Sequence, residues 1–277
     1  MKRILTISSN PEQISWLLDA PPLQDYEIVI ARGEADALKL LRQKFFGVVI
    51  TNPHTLFEYD LVLHDEMRRI RPGLRTIILS PEAAPADVVE AIREHVFACF
   101  NVPFDREEVI DMVKRAIESP GWRDGIEVLS ASNEWIALRV TCSLLSAERL
   151  VHFMDELMAD HPDQRRSDLI TAFREILLNA MEYGAGFDPE KVIDVCAVRT
   201  ERGQCYYFRD PGTGFHRDVL PHAAVSNAPE NPIGHIAYRE EVGLRPGGFG
   251  LMLTGQLVDE IIYNEIGNEV LLIKHTA

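Results

Sequence analysis

The chain has 277 residues, of which 46% are hydrophobic and 26% charged, the length of two domains and the composition of an ordinary globular protein. Its formal charge of -15 argues against a duplex nucleic-acid binder, which needs a basic surface to neutralise phosphates, and against docking on an anionic membrane. The N-terminal "MKRILTISSNPEQ" is too briefly apolar for a signal peptide and no stretch is long enough to span a bilayer, so a cytoplasmic protein is expected.

From Arg3 to about Ser119, short β-branched runs alternate with amphipathic segments. The runs are "RILTIS", "YEIVIA", "GVVIT", "RTIILS" and "VFACF"; "GEADALKLLRQKF" and "DREEVIDMVKRAIE" are typical of what separates them. Five such strands with five helical patterns predict a doubly wound α/β domain, a parallel sheet covered on both faces. Ligands of such sheets sit beyond the carboxyl ends of the strands.

The order and lengths of these elements resemble the receiver domain of response regulators. That resemblance implies an acidic pair after the first strand that holds magnesium, a phosphoacceptor aspartate after the third, Thr or Ser after the fourth and Lys after the fifth. Here the positions read Ser8-Ser9-Asn10, Asn52, Ser80 and Val102, so that only Ser80 matches. An amide is a poor nucleophile, and hydroxyls do not replace carboxylates around a hard cation. Asp60 and Asp65, the nearest carboxylates, fall in the following helix and read as part of its solvated face. Residues 1–119 are therefore expected to be a pseudo-receiver that docks or dimerises without taking phosphate. Val102-Pro103 is where receivers often carry a cis peptide bond.

Residues 120–125 form the expected linker, within "ESPGWRDG", and 126–277 the second domain. "IEVLSAS" and "WIALRVTCS" read as an antiparallel pair around Asn133-Glu134, followed by the helices "SAERLVHFMDELMAD" and "RSDLITAFREILLNAMEYGA". "KVIDVCAVRT" and "QCYYFRD" turn at Glu201-Arg202-Gly203; "EIIYNEI" and "NEVLLIKH" close the chain. Helices on one face of a mixed sheet predict an α/β sandwich. Cys99, Cys142, Cys196 and Cys205 form no metal-ligand pattern and read as reduced buried thiols, a Cys196–Cys205 disulfide across a hairpin being the weaker reading.

Three segments of this half carry chemistry. In "FREILLNAMEYG", Glu175 and Asn179 stand four apart on one helical face. In "RDPGTGF", Asp210 ends a strand, and Gly212 and Gly214 let a flat ligand lie against the backbone. In "RPGGFGLMLTGQLVDE", three glycines open a helix whose Leu251, Leu253, Leu257 and Val258 are spaced for one face, and whose first amides suit an anion.

In this order and spacing the three resemble the N, G1 and G2 boxes of the GHKL ATPase superfamily, over roughly residues 126–277. The resemblance implies the Bergerat fold with ATP and magnesium. Asn179 would be the metal ligand, Asp210 the acceptor for the adenine amino group with Gly212 and Gly214 beside the ring, and Gly247, Gly248, Phe249, Gly250 and Leu251 the phosphate loop.

Histidine kinases commonly place Asn where Glu175 stands, and His152 in "LVHFMDEL" lacks the phosphoacceptor context of those enzymes. Glu175 with Asn179 is closer to the anti-sigma serine kinases of the RsbW and SpoIIAB type. That resemblance implies Glu175 as general base toward a serine of an STAS-domain anti-anti-sigma-like partner, a sigma factor as a second partner, and homodimers. Two features depart from it: Glu269 replaces a threonine usual near the nucleotide, and residues 216–245, the lid by position, form a long irregular stretch expected to be mobile. The competing reading is a non-catalytic module in which ATP gates a binding surface.

Overall fold

The computed structural model describes residues 2–119, 124–132, 134–214, 223–224, 227, 231, 233–241 and 248–276. The chain divides into two compact units, Met1–Asp124 and Gly125–Ala277.

The first unit has five strands, β1 (Arg3–Ile7), β2 (Glu27–Ala31), β3 (Val48–Ile50), β4 (Arg75–Ser80) and β5 (Ala98–Asn101), all parallel in the order β2-β1-β3-β4-β5. Its helices are α1 (Ser15–Leu18), α2 (Glu34–Gln43), α3 (Phe57–Ile70), α4 (Pro85–Arg93) and α5 (Arg106–Glu118). Every residue of β3 and β4 is buried, as a sheet covered on both faces requires. In α5, Asp105 caps the first turn by accepting from Glu107 N at 2.8 Å. That helix then buries Val109, Met112, Val113, Ala116 and Ile117, a 3-1-3-1 spacing that forms one continuous stripe. Strand order reverses between β1 and β3, so the crevice beyond their carboxyl ends is the natural ligand site of this architecture. The Val102-Pro103 bond is cis.

The second unit runs β6 (Ile126–Ala131), β7 (Trp135–Thr141), α6 (Leu144–Glu156), α7 (Asp163–Asn179), β8 (Val192–Thr200), β9 (Gly203–Arg209), α8 (Gly234–Glu241), α9 (Gly250–Leu257), β10 (Glu260–Tyr263) and β11 (Glu269–His275). Its sheet, in the order β10-β11-β9-β8-β7-β6, is antiparallel at every pair rather than mixed. The helices of the β7–β8 connection lie between neighbouring strands that return in opposite directions, while the β9–β10 connection crosses over β11 to a strand of the same direction. Alternation along the strands buries one face: Ile193, Val195, Tyr206, Phe208, Val270 and Leu272 lie inward. Phe173 of α7 packs on this face, 5.1 Å from the Tyr206 ring and 5.0 Å from that of Phe208. Each large side chain buried in this way stabilises by about 1.5–3 kcal/mol. All four cysteines are free thiols; Cys99 and Cys142 are buried, while Cys196 and Cys205 are only half-buried.

Two further expectations are corrected. The stretch between residues 216 and 245 is not irregular throughout, because it contains α8. Leu251, Leu253, Leu257 and Val258 do not form a buried face of α9: Thr254 is the buried helical residue, Leu253 is exposed, and Val258 lies beyond the last turn. Among the described residues no helix is long and apolar enough to cross a membrane.

Candidate functional site

A cavity of about 420 Å³ opens in the second unit between α7, the start of α9, and the ends of β9 and β11. Its size and mainly apolar walls fit a small-molecule site. At one end α7 presents Glu175 and Asn179, one helical turn apart. α7 then continues as a single π-helical turn, Ala180–Gly184, a distortion that recurs at functional sites.

Opposite Glu175 and Asn179 stands the glycine turn. A Cβ on Gly250 would collide with Glu175 Oε2 and lie 3.7 Å from Asn179 Nδ2, so the turn approaches the α7 face as closely as a backbone can. Gly248 has φ +99°, open to glycine at little cost. No side chain caps α9 at Phe249, which leaves its first amides available to an anion. The Glu175 side chain is 29% exposed and lies 4.0 Å from Arg174 Nη1, so solvent or a partner reaches its carboxylate. Gly247 lies outside the described residues.

Asp210 lines the other end. Its Oδ1 accepts from Gly212 N at 2.8 Å, while burial holds its pKa above the usual carboxylate range. Gly214, at φ +75°, sits where a Cβ would collide with the Ile266 carbonyl. Three residues that sequence reasoning missed complete this wall. Gly184 is bare because a Cβ there would collide with the Asp210 carboxylate. Asn268 donates to Asp210 O at 3.4 Å and Gly212 O at 3.3 Å, tying the β10–β11 turn to the base of the site. Arg239 of α8 lines the cavity 3% exposed. Only Gly184 carried a signal, as the last residue of the Glu175 motif.

Glu269 lines the cavity beside Asn268, near the nucleotide position as expected. It alternates with the inward Val270, and its carboxylate lies 3.7 Å from Arg209 Nε and accepts from Tyr207, whose pKa is pushed up to about 12 by burial and by that carboxylate. Arg209 beside it offsets the charge of the carboxylate.

The positions of the first unit that correspond to a receiver site are occupied by local turns. Ser8 Oγ donates to Asn10 O at 2.7 Å, Asn52 Oδ1 accepts from His54 N at 3.1 Å, and Ser80 Oγ donates to Glu82 O at 3.1 Å. Ser9 and Asn52 line a shallow pocket of about 330 Å³ beside Glu34 and Asp60, and Val102 is exposed. Among the described residues no group of three or more His, Cys, Asp or Glu could hold a metal. Asp65 is solvated and pairs with Arg69 at 2.6 Å, as a surface helix residue does. Asp60 corrects the expectation: it is 3% exposed, and one carboxylate oxygen has no hydrogen-bond partner. Burial pushes its pKa up to about 7, against the hydroxyl of Thr51 that donates to it. It shares the inward face of α3 with Phe57, Leu63, His64 and Met67.

Residues 143–274 match the family model described as histidine kinase-like ATPase domain. The transcriptional regulatory proteins GlrR of Escherichia coli K12 and QseF of Escherichia coli O157:H7 are each 23% identical to this chain over 129 residues, 44% of its length. The chain spans 29% of the length of these curated relatives. Among solved structures, a response regulator from Thermotoga maritima is 17% identical over 43% of this chain and 99% of that one, with a TM-score of 0.38. The non-phosphorylated HemR receiver domain from Leptospira biflexa is 17% identical over 44% of this chain and 99% of its own, with a TM-score of 0.39. The family-model match and the parallel sheet of the first unit fit a receiver-like domain followed by a histidine kinase-like ATPase domain.

Proposed function

We propose that the second unit binds ATP with magnesium and transfers the terminal phosphoryl group to a serine of an STAS-domain anti-anti-sigma-like partner. The first unit docks or dimerises without being phosphorylated. One observation carries the reading: the Gly250 backbone meets Glu175 and Asn179 at one end of a cavity whose other end is Asp210. A cradle that a single Cβ at Gly250 or Gly184 would fill fits a flat base at one end and a phosphate chain at the other.

In this reading Asp210 accepts from the exocyclic amino group of adenine and meets the carbonyl oxygen of guanine unfavourably, which sets base choice. Asn179 offers its amide oxygen to magnesium, and the amides from Gly248 to Leu251 donate to the phosphates. The bound magnesium triphosphate supplies the electrophilic phosphorus and neutralises charge as the bond to the leaving phosphate breaks. Glu175, reachable from solvent, takes the proton of the attacking serine hydroxyl.

Incubating the chain with labelled ATP, magnesium and the STAS proteins of the same organism tests this. Label on a partner serine is the expected result. ATP-dependent capture of a partner with no label on it would replace the kinase with the ATP-gated binding module.

A further inference from the structure

The pocket of about 330 Å³ in the first unit lies where the strand order reverses, walled by the ends of β1 and β2 and by the segment from β3 into α3. Asp60 lines it from α3 and is 3% exposed. Its Oδ2 is buried with no hydrogen-bond partner. Phe57 and Leu63, three residues to either side on the same inward face, show what packing alone asks for there. A carboxyl in their place is unfavourable unless something meets its free oxygen.

The lining indicates what that is. Ser9 and Thr55 bring hydroxyls, and Ile7 and Leu63 bring buried apolar walls. With Asp60 ionised, the charged lining is the carboxylates of Asp60 and Glu34 and the guanidinium of Arg32, a net charge of one negative. A monovalent cation neutralises this, whereas a divalent metal leaves a surplus. Among the described residues no group of three or more His, Cys, Asp or Glu stands together to hold a metal. The start of α2 asks for no anion, because Asp36 already accepts from Arg32 N at 3.1 Å. A primary ammonium offers three donors to the acceptors present, and an alkyl stem suits the apolar walls.

We propose that this crevice binds a small molecule with a primary ammonium head, which donates to Asp60 Oδ2 and lays its stem along Ile7 and Leu63. The site needs neither phosphate nor the second unit. The ammonium pairs with the ionised carboxyl, so binding displaces the proton that burial favours on Asp60, whose pKa is about 7. Affinity is therefore full above about pH 8 and is lost as the pH falls through 7. Arg32 and Glu34 are the charged side chains that line the pocket with Asp60. His64, on the same face of α3, is held neutral by burial, its pKa lowered to about 4. An alkylammonium keeps its charge throughout this range, with a pKa near that of lysine, about 10.4.

Titrating the full chain with butylammonium chloride at pH 8, followed by the backbone amide resonances of the residues lining the pocket, tests the proposal. A saturable shift of those amides is expected, and Asp60→Asn should weaken it by about 10–100-fold, the range of a charge-assisted hydrogen bond. Glu34→Gln, at the exposed rim, should weaken it less. At pH 5.5 the parent should bind about 30-fold more weakly than at pH 8, while Asp60→Asn should be unmoved by pH. No saturable shift in the parent, or equal affinity of parent and Asp60→Asn, would overturn the proposal. So would magnesium chloride shifting the same amides at lower concentration than the amine.

Discussion

Both units place polar side chains around a crevice at one end of a sheet, yet they use those side chains differently. In the first, Ser8, Asn52 and Ser80 each hydrogen-bond the backbone two residues on, closing small turns at the strand ends. In the second, Glu175 lies 4.0 Å from Arg174, its nearest ion-pair partner among the described residues, and the backbone of the site is pared to glycine at Gly184 and Gly250. Polar groups spent on local turns stabilise the loop that bears them and have little left for a ligand. Groups held apart on a rigid helix keep that capacity. A pseudo-site and a working site are told apart by where their hydrogen bonds go more than by how many polar residues they contain.

The largest effect that would sharpen this contrast is on transfer. Glu175→Gln keeps the shape and removes the base, so phosphoryl transfer to an STAS substrate should fall by about 10²–10⁴-fold while ATP affinity barely moves. Equal single-turnover rates for variant and parent would take the base assignment away from Glu175.

Next is Asp60, a buried carboxyl of the first unit with one oxygen that has no hydrogen-bond partner. Its folded-state pKa of about 7 stands well above that of an ordinary carboxyl because the group is buried, so the folded state prefers the neutral form. The stability it contributes is complete below about pH 4 and is lost as the pH rises through 7. Asp60→Asn escapes that loss and should be more stable than the parent by on the order of 2–4 kcal/mol at pH 8, with the difference vanishing near pH 4. Denaturant melts at the two pH values measure it, and a difference independent of pH would mean that the carboxyl is not titrating in the folded chain.

At the far end of the cavity, Asp210→Ala removes a charge-assisted hydrogen bond and should weaken ATP by roughly 1.5–3 kcal/mol. Unchanged binding in calorimetry would move the adenine elsewhere. The smallest expected signal is none at all: acetyl phosphate should leave residues 1–119 unmodified, and an aspartyl phosphate found there by mass spectrometry would erase the contrast between the units.

Much of this was legible in the sequence because it is local. The period-two alternation of β8 and the apolar runs of β3 and of Ile77–Leu79 in β4 announced an exposed sheet face and a doubly covered sheet. The four-residue spacing of Glu175 and Asn179 is a property of any helix, and the glycines at 248 and 250 mark a bend wherever they occur. The burial of Asp60 was also within reach, since it stands three residues from Phe57 and from Leu63 on the apolar stripe of α3. Other features depended on residues distant in the chain. Turn-forming residues around α8 conceal a helix whose inward face meets Tyr183 and Phe249. Asn268 reaches Asp210 only because β11 pairs with β9, and that same register sets Glu269 beside Arg209 at the cavity wall. Local spacing determines what a segment can present; the pairing and packing of distant segments decide what it presents it to.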